Sequence, residues 1–239
     1  MDSLLIAIRK NAIGLAIFAA VTAGLIAVIQ VTTKETISHN IQQARVKALH
    51  EILPRDQHDN DLLEDAFWVN GKALGLTHPT EAFIARKDNQ AAVFFFPVKA
   101  LEGYTGPISL VVGVKRSGEL AGIRVLQHQE TPGLGDQIEL KKSDWVLTFN
   151  GRSLNNPEDS GWKVKKDGGQ FDQFTGATIT PRTIVKAVHQ TLKAFKQNKH
   201  RLMNIETHQS IEGAEPANVF EMTYDPDLDS AGSQSTKGE

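Results

Sequence analysis

An uncharged stretch near the N-terminus constrains this chain more than any other feature. Positions 11–33 read NAIGLAIFAAVTAGLIAVIQVTT, without a charged residue. About 20 helical residues cross a hydrocarbon layer of about 30 Å, so we predict a transmembrane helix at 11–33. A cleaved signal peptide is the alternative, because Arg9 and Lys10 precede the apolar run. The run is longer than the apolar region of about 7–15 residues that signal peptides usually have, which favours a retained anchor.

A second helical pattern follows the span directly. Apolar residues recur at broadly helical spacing within 34–54, and Pro54 ends the pattern. We expect a stalk helix here, with a short N-terminal segment at 1–10 on the other side of the span. Small residues within the span would allow close packing against another membrane helix, which suggests a membrane partner. They are Gly14, Ala19, Ala20, Ala23 and Gly24.

Composition excludes several classes of function. The 239 residues carry a formal net charge of −2, which gives no basis for binding nucleic acid. The chain has no cysteine, so disulfides, thiolate metal sites and iron–sulfur clusters are excluded. No phosphate-binding P-loop and no dinucleotide-binding glycine motif follows a strand, so the sequence does not support NAD or ATP binding by this chain.

The middle of the chain predicts a sheet covered by a helix. The segments EAFIAR, AAVFFFPVKA, ISLVVGVKR and LAGIRVLQH, within 81–129, are typical of strands, and Gly118 marks a hairpin turn. The segment 181–199 then predicts a helix whose apolar face packs on the sheet. That face consists of Ile184, Val188, Leu192 and Phe195. We therefore predict an α+β fold, with an antiparallel-sheet domain at 55–205 and a covering C-terminal helix.

The end of the chain is acidic. Residues 206–239 contain eight acidic residues against Lys237, with few large apolar groups, so we predict a disordered acidic tail. Asp225 and Asp227 resemble the start of a calcium loop, but Ser230 stands where that loop requires glycine. No metal site is predicted.

The segment FDQFTGATITPRTIV, at 171–185, combines several signs of a helix start. Thr180 precedes Pro181, which predicts Thr180 as the N-cap, with proline in the first turn. Free N–H groups and the helix dipole favour a phosphate at such a terminus, and Arg182 and Lys186 add positive charge. Thr178 lies just before this predicted helix start. The alternative is a plain turn, because threonine is common before helices.

A second glycine-containing segment is ETPGLGD, at 130–136. Gly133 and Gly135 would permit close approach of the backbone to a flat ligand. They would equally suit an ordinary turn. Residues alone leave both interpretations open.

Three motifs together resemble a known family. ETPGLGD (130–136), KKDGG (165–169) and DQFTGATITPR (172–182) are similar to the G subunit of the Rnf-type electron transport complex, also called Rsx. The C subunit of the sodium-translocating NADH:quinone reductase shares the same flavin-binding domain. The resemblance runs from the N-terminal span to about position 196. It implies FMN attached covalently, through a phosphoester, to the last threonine of the Asp-x-x-Ser/Thr-Gly-Ala-Thr pattern.

The resemblance assigns roles to residues of this chain. It implies that Thr178 carries FMN and that Asp172, Thr175, Gly176 and Ala177 complete the pattern recognised by a flavin transferase. It further implies that residues of the second motif lie beside the isoalloxazine ring, with Leu134 packed on it. These are Glu130, Thr131, Gly133, Leu134 and Gly135. Lys165 and Lys166 are further candidates for contact with the polar edge of the flavin or with its phosphate.

The implied function is electron transfer within a membrane complex. The chain would be a single-span component of a bacterial inner-membrane ion pump, relaying electrons between NADH and ferredoxin, with its N-terminus cytoplasmic and its flavin domain periplasmic. No catalytic residue is implied, and its partners would be the other subunits and the flavin transferase. Two alternatives remain: the C-type flavin component of the quinone reductase, and an anchored scaffold module whose Thr178 is never modified.

Overall fold

The computed structural model describes residues 2–209, 216 and 218–227. Contacts divide the chain into two units, Met1–Val46 and Lys47–Glu239. Helix α1 spans Asp2–Ile52 without interruption, so the predicted span and stalk form one helix. It ends two residues before Pro54, because the residue preceding a proline is disfavoured in helical conformation.

The N-terminal part of α1 has the surface of a membrane-spanning helix. Within the part of the chain that the structure describes, it is the one helix whose length and composition would allow it to cross a membrane. Large apolar side chains such as Leu15, Phe18 and Leu25 are exposed along it. The Thr22 hydroxyl donates to the carbonyl of Phe18 at 2.9 Å, so this polar group is satisfied inside the helix.

The second unit contains a six-stranded sheet. The strands are β1 (Ala66–Asn70), β2 (Thr80–Lys87), β3 (Gln90–Ala100), β4 (Ile108–Lys115), β5 (Leu120–Gln127) and β6 (Phe220–Glu221). Their spatial order is β5-β4-β3-β2-β1-β6, and all neighbours are antiparallel except β1 and β6. The four strands predicted from the sequence are confirmed as β2 to β5. The prediction of an α+β fold is also confirmed.

Both faces of the sheet are covered, which explains the continuous apolar run in β3. Phe94 and Phe96 face helix α2 (Ile179–Leu202), where Phe195 contacts their rings at 5.8 and 6.1 Å between centroids. Phe95, between them in sequence, belongs to a second cluster with Leu49 on the opposite face. The face of α2 predicted from the sequence is buried as expected.

Residues 128–178 contain no long helix or strand and are held together by aromatic side chains. Short 3₁₀ turns occupy Gly135–Ile138, Asp144–Phe149, Asp159–Gly161 and Lys165–Asp167. Between these turns, the rings of Phe149 and Phe171 stack at 4.7 Å, and Trp145 packs edge-on to Phe149 at 5.1 Å. This aromatic cluster supports the loops that carry the predicted site.

The prediction of a disordered tail is wrong for part of 206–239. His208 pairs with Ala66, and Phe220 pairs in parallel with Val69 at the sheet edge. Phe220 and Met222 are buried, because each covers apolar surface that β1 would otherwise expose. The sequence pattern missed this strand because it has only two residues. Positions 210–215, 217 and 228–239 of the predicted tail lie outside the described residues.

Candidate functional site

Thr178 lies at the N-cap of α2, two residues earlier than the sequence predicted for this helix start. Its side chain makes no capping hydrogen bond and is half-buried. The predicted cap, Thr180, is instead a buried residue of the first turn. Pro181 is then the third helical residue, and it is tolerated because the first four N–H groups of a helix have no intrahelical partner. Thr178 therefore lies directly at the positive end of the helix dipole.

A tight turn precedes Thr178. The N–H of Ala177 donates to the carbonyl of Phe174 at 3.2 Å, so Thr175 and Gly176 occupy the corner of the turn. Gly176 has φ +81°, a left-handed conformation that costs other residues free energy. Thr175 and Gly176 are exposed, so this part of the recognition pattern is accessible from solvent.

The ETPGLGD segment also forms a closed turn. The N–H groups of Leu134 and Gly135 both donate to the carbonyl of Thr131, at 3.1 and 3.0 Å. The backbone N–H of Gly133 donates to the carboxylate of Asp136 and is the main cause that lowers the pKa of Asp136; Lys142, 3.5 Å from that carboxylate, lowers it further. A Cβ at Gly133 would meet no atom within 4 Å, so the space beside this turn is open.

Glu130 joins this turn to the start of α2. Its carboxylate is only 3% exposed, and it accepts a hydrogen bond from the hydroxyl of Thr180 through Oε2. Its Oε1 accepts from the backbone N–H of Thr105 at 3.1 Å. Gly135 lies so close that a Cβ there would be 2.9 Å from the Cβ of Glu130 and 3.1 Å from Oγ1 of Thr180. Only glycine fits at this position.

The two predicted motifs meet at Leu134 and Gly176. A Cβ at Gly176 would be 3.4 Å from Cδ2 of Leu134, which is ordinary van der Waals contact. Leu134 nevertheless remains 42% exposed, and Ile179, next to Thr178, is 41% exposed. Exposed apolar surface therefore flanks Thr178 on the side of the turn and on the side of the helix.

Asp172, the first residue of the pattern, is held from two directions. The indole N–H of Trp145 donates to its backbone carbonyl at 2.8 Å. Its carboxylate pairs with the ammonium group of Lys165 at 2.5 Å, and both side chains are largely exposed. The Trp145 contact was not predicted, because nothing in the sequence relates a tryptophan in one loop to a carbonyl in another.

The cations expected near the helix start are paired with carboxylates. Arg182 makes two hydrogen bonds to Asp167, at 2.6 and 2.8 Å, and this contact is the main cause that lowers the pKa of Asp167. Lys186 contacts both carboxylate oxygens of Glu102 at 2.7 and 2.8 Å. A phosphate on Thr178 would therefore depend on helix N–H groups more than on these two side chains.

The geometry fits a flavin phosphate linked to Thr178. The hydroxyl of Thr178 makes no capping hydrogen bond, and it stands where the backbone N–H groups of a 24-residue helix are free. Open space at Gly133 and exposed apolar groups at Leu134 and Ile179 suit a planar ring system. Among the described residues, no cluster of side chains that could hold a metal ion is present.

Two models of known families match this chain. A family model described as FMN-binding domain matches residues 103–193, and a second, described as RnfG N-terminal region, matches 1–52. The first range contains both loops, the pattern and the start of α2. It begins in the loop that supplies Thr105.

Similar full-length proteins share one name, that of the G subunit of the ion-translocating oxidoreductase complex. The protein of this name from Vibrio cholerae serotype O1 is 45% identical over 201 residues, which are 84% of this chain and 96% of that protein. Its namesake from Pseudomonas aeruginosa is 48% identical over 195 residues, covering 81% and 91%. That from Erwinia tasmaniensis is 47% identical over 185 residues, covering 77% and 88%.

Proposed function

The chain belongs to the family of G subunits of ion-translocating oxidoreductase complexes, and on this premise we propose that Thr178 carries its FMN as a covalent phosphoester. It is an electron-transfer component of a membrane-bound complex, and its FMN-binding domain extends over residues 103–193. FMN supplies the chemistry, because it can hold one or two electrons and so connect one-electron and two-electron carriers. The protein binds, orients and shields it.

The observation that carries the proposal is the state of the Thr178 side chain. It lies at the N-cap of α2 and makes no capping hydrogen bond, whereas the hydroxyls of Thr180 and Thr183 nearby are engaged by Glu130 and by the Glu102 carbonyl. Of these three threonines, Thr178 is also the one that is not fully buried. An ester there would place a phosphate against free helix N–H groups.

We assign the remaining predicted residues, and Ile179 beside them, by their positions. The flavin ring would be bordered by the apolar side chains of Leu134 and Ile179. Gly133 would leave open space for it. Glu130 and Gly135 would act through the position of their loop, because both are buried. Thr131 would hold the turn in shape, because its carbonyl accepts hydrogen bonds from the N–H groups of Leu134 and Gly135.

The residues of the pattern would be read by a flavin transferase. Thr175 and Gly176 are exposed at the corner of the turn, and Asp172 is exposed beside Lys165. Ala177, half-buried, joins the turn to Thr178. Such a surface segment is accessible to a second enzyme before the flavin is attached.

We further propose that the domain lies on the periplasmic side of the inner membrane, where a tethered flavin could not readily be lost. The absence of cysteine makes a clean test possible. A Ser117→Cys variant places a single thiol in the exposed β4–β5 turn. A membrane-impermeant maleimide should label it in intact spheroplasts. Labelling only after lysis would place the domain in the cytoplasm.

Two other functions compete with this proposal. The C-type component of the quinone reductase shares the flavin domain, but the relatives compared above all carry the G-subunit name. An unmodified scaffold module would share the fold without flavin. The deciding experiment is intact mass spectrometry of the chain expressed with and without an active flavin transferase, followed by mapping of the peptide containing Thr178. A gain of FMN minus water on Thr178 supports the proposal, and no gain would favour the scaffold.

A further inference from the structure

A buried carboxylate links three segments of the domain, one of which is the start of α2. Glu130 follows β5, Thr105 lies in the loop between β3 and β4, and Thr180 lies in the first turn of α2. The carboxylate of Glu130 is satisfied by the hydroxyl of Thr180 and by the N–H of Thr105. The hydroxyl of Thr105 also lies 3.1 Å from Oε1, although it is closer, at 2.5 Å, to the carbonyl of Gln129.

Burial makes this junction, formed by Glu130, Thr105 and Thr180, sensitive to the loss of a donor. A buried acceptor that lacks its hydrogen-bond donor lowers the stability of the folded protein, and this cost is larger when the acceptor is charged. Glu130 and Thr180 are both buried, so water cannot readily replace a missing donor. The carboxylate also sits near the N-terminal end of α2, where the helix dipole favours negative charge.

The junction controls geometry at the attachment site. Glu130 directly precedes the 131–135 turn, and Leu134 of that turn lies beside Gly176, 3.4 Å from the position that a Cβ on this glycine would take. Thr180 is only two residues beyond Thr178. A shift of the turn relative to α2 would therefore move Leu134 away from Gly176 and change the surroundings of Thr178.

We infer that Glu130 is a positioning residue for flavin attachment: its hydrogen bond from Thr180 holds the 131–135 turn against the start of α2 and so fixes the surroundings of the Thr178 hydroxyl. The inference rests on the proposed function and goes beyond it, since Glu130 acts on the attachment site through its hydrogen bond with Thr180. The sequence alone suggests a different role for Glu130, beside the ring.

The test compares three threonine variants of the full-length chain. Thr180→Val removes the donor with little change in shape, and Thr180→Ser keeps it. Thr191→Val is the matched control, because Thr191 is equally buried in α2 but donates to the carbonyl of Ala187. The rate of FMN attachment by flavin transferase is followed by intact mass, and amide hydrogen exchange is measured at 131–135 and 174–178 before attachment.

We expect Thr180→Val to slow attachment by about tenfold or more, as the loss of one hydrogen bond to a charged group would. Exchange in both segments should accelerate. Thr180→Ser should restore both measurements, and Thr191→Val should change neither. If Thr180→Val does not fold, Thr180→Ala replaces it, because alanine also removes the hydroxyl donor; it should give the same pair of effects.

Two results would overturn the inference. One is attachment at the wild-type rate in Thr180→Val, or in Thr180→Ala where that variant takes its place. The other is equal slowing in the variant and in Thr191→Val, since that would indicate general destabilisation. If the wild-type chain gains no flavin at all, the proposed function fails instead. The exchange measurements then still decide whether the carboxylate holds the turn against α2.

Discussion

The side chain of Leu134 lies beside Gly176, although the two residues belong to separate motifs of the loop region. A Cβ on Gly176 would stand 3.4 Å from Cδ2 of Leu134. Because Leu134 also keeps a large exposed fraction, it presents apolar surface next to the N-cap of α2. The two motifs therefore lie close together at the start of α2, as the proposed attachment of FMN to Thr178 requires.

Gly176→Ala should slow flavin attachment and destabilise the protein. The substitution forces alanine to adopt φ +81° and places a methyl group in contact with Leu134, where it covers part of the apolar surface beside Thr178. We expect a loss of about 1 kcal/mol in the free energy of unfolding from the left-handed backbone alone. Urea denaturation measures the stability, and intact mass measures the rate of attachment.

Gly151→Ala separates the two effects. Gly151 has φ +73° and open space around it, so the variant should lose similar stability. It should gain flavin at the wild-type rate, because Gly151 belongs to neither motif. Equal slowing in both variants would mean that strain in general, and not the Leu134 contact, limits attachment.

Thr178→Val should abolish covalent flavin and leave the fold intact. The side chain makes no capping hydrogen bond, so its removal should change the free energy of unfolding by no more than about 0.5 kcal/mol. Thr178→Ser is the control, since it keeps a hydroxyl at the same position. Denaturing gels viewed by flavin fluorescence provide the measurement. Fluorescence that stays with the denatured Thr178→Val protein would place the attachment elsewhere.

The strands and the covering helix could be predicted because long apolar runs with clear periodicity dominate them. Strands β1 and β6 could not be predicted. The segment AFWVN of β1 is short, and the two residues of β6 form a strand only because they pair with Val69 and Asn70, which are distant in sequence. At the site, the resemblance identified residues but not their contacts. Local sequence placed the helix start at Thr180, whereas the buried link to Glu130 draws Thr180 inside the helix.

Trp145→Phe should weaken the anchoring of the attachment segment. The ring remains packed on Phe149 and Phe174, but the 2.8 Å hydrogen bond to the carbonyl of Asp172 is lost. We expect a cost of about 1 kcal/mol in the free energy of unfolding and slower flavin attachment. Amide exchange at 172–178 should accelerate.

Trp162→Phe is the matched control for Trp145. Its indole N–H donates to the carbonyls of Ser153 and Pro157, away from the attachment segment. It should lose similar stability while attachment proceeds at the wild-type rate. If Trp145→Phe gains flavin as fast as Trp162→Phe, the indole hydrogen bond has no part in positioning the segment.

Phe220→Ala should destabilise the domain, although the sequence places Phe220 in the acidic tail. Its ring packs edge-on to Phe67 at 6.4 Å and lies under the guanidinium of Arg201 at 4.5 Å. Truncation of a buried phenylalanine costs about 3–5 kcal/mol. Glu221→Ala, which removes an exposed side chain from the same strand, should cost little. Similar urea midpoints for the two variants would contradict the packing role of the segment.

Asp136 should make the ETPGLGD turn sensitive to acid. Its pKa is lowered mainly by the hydrogen bond from the N–H of Gly133, so its contribution to stability is present above the unfolded-state value of about 3.9 and is lost as pH falls through the lower folded-state value. Protection of the amides at 131–135 from exchange, measured relative to the intrinsic exchange rate at each pH, should therefore fall below about pH 4 in the wild type. Asp136→Asn should raise exchange at pH 7 and remove most of this pH dependence, whereas the exposed Asp144→Asn should leave the wild-type profile. An unchanged acid response in Asp136→Asn would mean that another group closes the turn.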